Sequence, residues 1–430
     1  MADGLRDDGL RDDGLRDDGV RDDTRVVFHP LGMREDAGEW IVGRADTGDF
    51  VALPPAGVRA IRLLQSGLSV AETAARIQRE TGRRLAVASF VTSLTALGFV
   101  RSVDGREVDS APPVRPTLPW IRTEHVRWLL SPVVPVLLLA IAAAAAVVLA
   151  FRPRLLPSWH DLVWSDRGTL VLAGQAALTW AMLFVHELSH LLTARAAGVP
   201  GRIRLGTRLQ FLVMQTDVSG IWQCTRRVRC TVYLSGMVLD LATAGGCVLI
   251  EAGTGPNRLL SLLALSKLLA VAVELMVFMR TDVYFLLQDL LSCRNLYQDA
   301  AAHCRHLAAR CLGRAHPDPL TALRPRERRI VRGYAVLMVL GTAGSLLLAY
   351  LVFAKVTLVL LTRALHTLGG PADPLSLADA VATVVALVTT QGLWVRAWWR
   401  RHGPKVRPAL RSLLRRSGSA AQTPGRPAGP

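Results

Sequence analysis

Long apolar runs separated by arginine-rich stretches fill the chain from about residue 128 onward. A membrane-crossing helix needs about 20 predominantly apolar residues. Six segments approach that length: 128–151, 170–194, 231–252, 259–279, 336–361 and 378–395, the first and fifth being the clearest. Hydrophobic and polar positions therefore predict a mainly α, polytopic membrane protein of about six transmembrane helices. The pattern before residue 128 is different. Residues 1–24 repeat a DGLRD unit that starts at Asp3, Asp8, Asp13 and, with Val20 in place of Leu, Asp18. A glycine in each unit, alternating charge and little apolar content cannot bury a core, so this tail is expected to be disordered.

Residues 25–110 alternate on the scale of a small soluble domain. Strand-like runs occupy 25–29, 40–44 and 50–53, followed by a helix over 56–65. Ser69 and Glu72 have capping-box spacing at the start of a second helix, which Gly82 stops after residue 81. A third helix spans 87–97, and residues 99–108 read as a hairpin turning at Asp104-Gly105. Strands, three helices and a terminal hairpin make a winged-helix-like α/β order. Residues 111–128 form a linker with Pro112, Pro113, Pro116 and Pro119. Beyond it lie a membrane core (129–300), a basic loop (301–330), a C-terminal transmembrane pair (331–400) and a basic, disordered tail (401–430).

Charge sets the expected orientation. Of the formal net charge of +17, most sits between hydrophobic segments and in the tail. Basic residues crowd the connection between the second and third spans (Arg195, Arg202, Arg204, Arg208, Arg226, Arg227, Arg229), the stretch after the fourth, and the C-terminus. Residues 253–258 carry only Arg258. An even number of spans with both termini in the cytoplasm satisfies the positive-inside rule. Arg152, Arg154 and Arg167, in the first outer loop, run against it. No recognition motif accompanies the charge, so nucleic acid is excluded as a partner. The acidic, polar N-terminus predicts no secretory signal peptide. The six cysteines (224, 230, 247, 293, 304, 311) show no C-x-x-C spacing and no zinc-knuckle pattern. Few charges within the spans, and no visible inverted repeat, argue against a transporter.

The chemistry concentrates in FVHELSHLLTARAAG (184–198), at the end of a run (169–185) that holds no charged residue. Residues at i and i+4 share a helical face. His186 and His190 can therefore direct a ring nitrogen at one zinc ion, with Glu187 beside them to handle a proton. Ionisable groups inside a membrane are costly and point to function. A catalytic zinc takes three protein ligands. Asp282, at the cytoplasmic end of the fourth span, is the candidate third; Asp217, Asp240, Glu274 and Asp289 are its rivals. Glu274 follows Lys267 by seven residues, which suggests a pairing within one helix, and Asp289 could cap or solvate a helix end. His303, His306, His316, His366 and His402 have no partner pattern and are expected at the surface or in loops. The stretch 202–217 partly alternates and fits a hairpin or a loop equally well.

Two resemblances join these observations. Thr47-Gly48-Asp49-Phe50-Val51-Ala52-Leu53, Leu63-Leu64-Gln65-Ser66-Gly67, Val70-Ala71-Glu72 and Leu94–Val100 resemble the PqqD-like peptide-recognition domains, which hold leader peptides of ribosomally made, modified peptides. That resemblance implies capture of a precursor peptide on a sheet edge. HELSHLLTARAAG, with Thr281-Asp282-Val283-Tyr284-Phe285-Leu286-Leu287-Gln288-Asp289-Leu290, Asn295-Leu296, Tyr233-Leu234-Ser235-Gly236 and Thr216–Gly220, resembles the site-2 protease family of intramembrane zinc peptidases, in its bacterial branch fused to PqqD-like domains. It implies His186, His190 and Asp282 as zinc ligands and Glu187 as the catalytic acid/base. Val283 stands where that branch usually has glycine. The expectation is a membrane zinc metalloendopeptidase, in the cell membrane, that cleaves a captured precursor peptide near the cytoplasmic face. The alternative, which Val283 favours, is an inactive relative that binds and hands on the precursor.

Overall fold

The computed structural model describes residues 20–36, 39–113, 115–208, 211–293, 295–313 and 317–419. Most of the N-terminal repeat (1–19) and the last part of the basic tail (420–430) lie outside the described residues, as does His316. The chain forms two units. One comprises residues 1–158, 179–205 and 214–347; the other comprises 159–178, 206–213 and 348–430.

The first unit begins with the small α/β domain. Strand β1 (Val26–Phe28) is followed by an antiparallel meander of β2 (Gly32–Asp36), β3 (Glu39–Arg44) and β4 (Asp49–Leu53). Helices α1 (Pro55–Gln65), α2 (Val70–Thr81) and α3 (Val87–Ala96) come next, then β5 (Val100–Val103) and β6 (Arg106–Glu107). Strand β5 pairs with both β1 and β6. The hairpin turns where expected, with Asp104 and Gly105 both at positive φ (47° and 77°), the combination a two-residue hairpin turn requires. Ser69 Oγ accepts the Glu72 N–H at 3.2 Å, and the Glu72 carboxylate accepts the Ser69 N–H at 2.7 Å. Gly82 closes α2 in the left-handed conformation. Val42, Val58, Ile61, Leu64, Leu94, Phe99 and Val100 fill the core between meander and helices.

Strand β2 was not legible beforehand. The run Arg34-Glu35-Asp36 reads as a loop, yet β2 is an edge strand of its sheet, where charged residues are tolerated. The end of the repeat is also placed. Asp22 and Thr24 present backbone carbonyls to the N–H groups of Ala71 and Val70 at the start of α2, at 2.8 and 3.1 Å. Buried Arg44 holds Asp46 at 2.6 Å and donates to the Gly98 carbonyl at 2.9 Å. The Arg44 guanidinium keeps the Asp46 carboxyl below its ordinary range.

After the short α4 (Thr123–Val126), the apolar part consists of α5 (Val133–Phe151), α6 (Gly168–Ala196), α7 (Arg226–Thr254), α8 (Arg258–Glu274), α9 (Asp282–Leu291), α10 (Leu296–Cys311), α11 (Pro325–Gly369) and α12 (Pro374–Ser419). Among the described residues, four helical stretches are long and apolar enough to cross a membrane: Val133–Phe151, Gly168–Ala196, Arg226–Thr254 and Pro374–Ala397. They correspond to the first, second, third and sixth predicted spans. The fourth coincides with α8, whose 17 residues end at Glu274, and the fifth lies within the 45-residue α11. Small residues explain the close approach of α5 and α7: a Cβ on Gly245 would lie 3.0 Å from Ala142 Cα. The opposite side of α5 shows Val136, Leu137, Leu139 and Val147 outward, as a lipid-facing helix does.

In the second unit, Asp379 caps the start of α6. Its carboxylate accepts the N–H groups of Gly168 (2.9 Å) and Thr169 (3.2 Å) and the Thr169 hydroxyl. Among the predicted surface histidines, His303 is an exception: it is buried on α10, 3.9 Å from Asp318. Helix α10 packs against the 3-10 turn Pro319–Ala322 that follows Asp318.

Candidate metal centre

Helix α6 carries both histidines, buried, on the face that meets α7. The ring environments fix their tautomers. His186 Nδ1 lies 2.8 Å from Asp240 Oδ2, and His190 Nδ1 lies 2.7 Å from the Val232 carbonyl oxygen. Carboxylate and carbonyl oxygens only accept, so each Nδ1 carries a proton, and a neutral ring in either place offers its Nε2 lone pair. The two Nε2 atoms face each other at 3.1 Å. Ser235 Oγ adds a contact to His190 Nδ1 at 3.2 Å.

Asp282 completes the group from the first turn of α9. Its Oδ2 lies 2.7 Å from His190 Nε2 and 3.3 Å from His186 Nε2. The turn that delivers it is closed by Glu274: the Thr281 hydroxyl donates to the Glu274 carbonyl at 2.6 Å, and the Asp282 N–H donates to the Glu274 carboxylate at 2.8 Å. His186, His190 and Asp282 thus form a group that could hold a metal ion, with ligand atoms within 4.8 Å of one another. The donor chemistry fits. With both rings neutral, three lone-pair atoms face one another, and a cation among them relieves their repulsion. Ligands at about 2.0–2.1 Å in a tetrahedron stand roughly 3.3 Å apart, close to the separations observed. Of the carboxyl groups nearby, Asp240 is paired with buried Lys267, Glu187 accepts the Thr216 N–H and Glu274 accepts the Asp282 N–H.

Of the rival third ligands, none replaces Asp282. Asp240 lies behind His186 and forms an ion pair with Lys267. Glu274 does not pair with Lys267 as its spacing suggested, because Lys267 turns to α7 while Glu274 serves the α9 turn. Asp289 does not cap or solvate a helix end: it is buried against Arg229, with oxygen–nitrogen distances of 2.6 and 2.7 Å. Asp217 forms ion pairs with Arg204 and Arg202 and accepts from the Ser219 hydroxyl at 2.7 Å. Burial alone would raise Asp217, but the Ser219 hydrogen bond and the two arginines outweigh it and hold the carboxyl below its ordinary value. Its contribution to stability is therefore complete above the ordinary carboxylate pKa and is lost as pH falls through the lowered one. The thermal midpoints of wild type and Asp217→Asn are expected to converge over that acid window, which a melting series against pH checks.

Val283 sits in the first turn of α9 with an ordinary helical backbone and is absent from the positive-φ residues, so no glycine is required there. Its side chain packs beside Tyr284, Phe285 and their neighbours. The glycine that does matter is Gly236. A Cβ there would lie 2.5 Å from His186 Cε1 and 2.6 Å from the Nε2 atoms of both rings. Alanine would favour the helix by about 1 kcal/mol. Gly236→Ala is nevertheless expected to weaken metal binding at least about tenfold, as displaced ligand supports do. A chelator competition on purified protein measures it.

The stretch 202–217 is a hairpin of β7 (Arg202–Arg208) and β8 (Phe211–Asp217). The end of β8 rests on the HExxH helix: the Thr216 N–H donates to Glu187 Oε2 at 2.7 Å, and the Thr216 hydroxyl donates to the Glu187 carbonyl at 2.9 Å. The 3-10 turn Ser219–Gln223 follows directly and packs against β2, β3 and β4. Gln223 Nε2 donates to the Gly43 carbonyl at 3.4 Å. The linker is fastened as well. Arg195, at the end of α6, donates to the carbonyls of Thr117 (3.2 Å) and Ile121 (2.8 Å), and the Thr117 N–H donates to the Gly201 carbonyl at 3.0 Å. Sequence reasoning named Asp240 as a rival ligand and Gly236 within the Tyr233–Gly236 motif, but missed that Asp240 backs His186, that Lys267 pairs with it and that Gly236 makes room for both rings. The available signal was two charges and a glycine inside otherwise apolar helices. No family model matches the chain, and neither does any curated protein or solved structure.

Proposed function

We propose that the chain is a membrane-embedded zinc metalloendopeptidase that acts on a precursor peptide held by its N-terminal domain. The observation that carries this reading is the convergence of His186 Nε2, His190 Nε2 and Asp282 Oδ2 beside Glu187 on an apolar helix. Two histidines and a carboxylate form a hydrolytic zinc set. When bound, zinc supplies Lewis acidity and lowers the pKa of a coordinated water towards about 7. The residues of the chain do the rest. Glu187 takes the proton of the attacking water and returns it to the leaving nitrogen. Thr216 holds that carboxylate in place from the hairpin. Both histidines are buried, which keeps bulk water from them.

The N-terminal domain supports peptide capture through its meander. Strands β2 and β4 each have an edge unpaired by any other strand among the described residues, and an extended peptide can add there through main-chain hydrogen bonds. Both termini are assigned to the cytoplasm, with the centre near that membrane face, on the distribution of arginine. Metal analysis of the purified full-length protein tests the reading: about one zinc per chain is expected, lost in His190→Ala. A metal-free wild type that rebinds none would sink it.

A further inference from the structure

Behind the metal-facing histidines lies a second polar layer. Asp240 (α7) and Lys267 (α8) are both essentially solvent-free. Asp240 uses its two oxygens separately. Oδ2 takes the His186 Nδ1–H at 2.8 Å, and Oδ1 takes the Lys267 ammonium, which also donates to the Met182 carbonyl at 3.2 Å. Met182 is one helical turn before His186 on α6. The array therefore ties the ligand ring, its own helix and two neighbouring helices through a single carboxylate. His190 has no comparable arrangement, since its Nδ1 rests on the Val232 carbonyl and Ser235.

We infer that Asp240 and Lys267 are positioning residues for the metal centre: Asp240 locks His186 in the tautomer that offers Nε2 to the ion, and Lys267 keeps Asp240 available for that task. This rests on the metal-binding reading above. Two physical points favour it over a merely structural ion pair. An ion pair excluded from water is not by itself a source of stability, because desolvation consumes most of the Coulombic gain. A carboxylate behind a ligating imidazole, by contrast, orients the ring and strengthens it as a ligand. Lys267 also explains how an anion persists there in an apolar setting: left alone, Asp240 would be an uncompensated buried charge.

The test uses full-length protein in detergent, stripped of metal and titrated with zinc against a chromophoric chelator, with the visible spectrum of the cobalt form as a second readout. Asp240→Ala is expected to bind zinc 10–100-fold more weakly, the usual cost of removing such a partner. Lys267→Met/Asp240→Asn, whose single amide oxygen can accept from Nδ1 with no ammonium competing for it, should stay within a few-fold of wild type. Lys267→Met should yield less folded protein than the double variant Lys267→Met/Asp240→Asn, which buries no charge. Should Asp240→Ala fail to fold, Lys267→Met/Asp240→Leu replaces it, and it should bind zinc 10–100-fold more weakly than Lys267→Met/Asp240→Asn. Wild-type affinity in the variants that lack the acceptor, or a Lys267→Met/Asp240→Asn variant as weak as the Ala one, overturns the assignment. Failure of the wild type itself to bind zinc or cobalt would instead overturn the reading on which it rests.

Discussion

Glu187→Gln is expected to lower peptide cleavage by about 10²–10⁴-fold while leaving zinc content unchanged. The substitution is almost isosteric, and its amide oxygen can still accept the Thr216 N–H, so the β8 contact survives. What disappears is the ability to take up a proton beside the ion. Glu187 contributes no ligand atom to the His186–His190–Asp282 group, which is why metal and catalysis should separate in this variant. The measurement pairs metal analysis with cleavage of a precursor peptide by membranes or purified protein. Full activity in Glu187→Gln would rule out hydrolysis by this centre, whereas loss of zinc would show that the side chain supports the ligands instead.

The second large effect is expected at Arg229 and Asp289. The guanidinium is fully buried and grips both oxygens of Asp289, joining α7 to α9. It also donates to the Cys224 carbonyl at 3.1 Å and stacks over Trp222. Removing Arg229 leaves buried Asp289 only a longer contact to half-exposed Arg226 at 3.6 Å, and losing one member of a buried pair costs up to about 3–5 kcal/mol. Arg229→Met should therefore lower the thermal midpoint strongly. Arg229→Met/Asp289→Leu should recover much of the loss, though not all, because the Cys224 carbonyl stays unpaired. A melting series in detergent decides it. Since Asp282 opens the same helix that Asp289 anchors, the single variant should lose zinc as well.

Much of the centre was legible because its chemistry is local. The i, i+4 spacing of His186 and His190 fixes a shared face whatever surrounds the helix. Asp282 stood out as a carboxylate just past an apolar run. Local turn chemistry was equally readable, as Ser69 with Glu72 and Asp104-Gly105 show. Partnerships between helices were not legible. Lys267 looked paired with Glu274 by spacing along one helix, but the chain satisfies it from another, because the lysine faces α7 and the glutamate closes the turn before α9. Asp289 looked like a helix-end residue because nothing near it in sequence suggests burial against an arginine sixty positions earlier. Strand β2 was hidden for a different reason: the run Arg34-Glu35-Asp36 breaks the apolar alternation by which a strand is read.

The fastening of the linker has a consequence for how tightly the centre needs to grip a peptide. Arg195 pins the carbonyls of Thr117 and Ile121 to the end of the helix that carries the histidines. A peptide held by the N-terminal domain would thus be tethered over a short path, and such tethering gives an effective concentration of about millimolar. Under the proposed function, intrinsic affinity at the cleavage site is then free to be weak. Selectivity would reside in the tethered segment, and untethered peptides at micromolar levels would pass the same centre largely uncut.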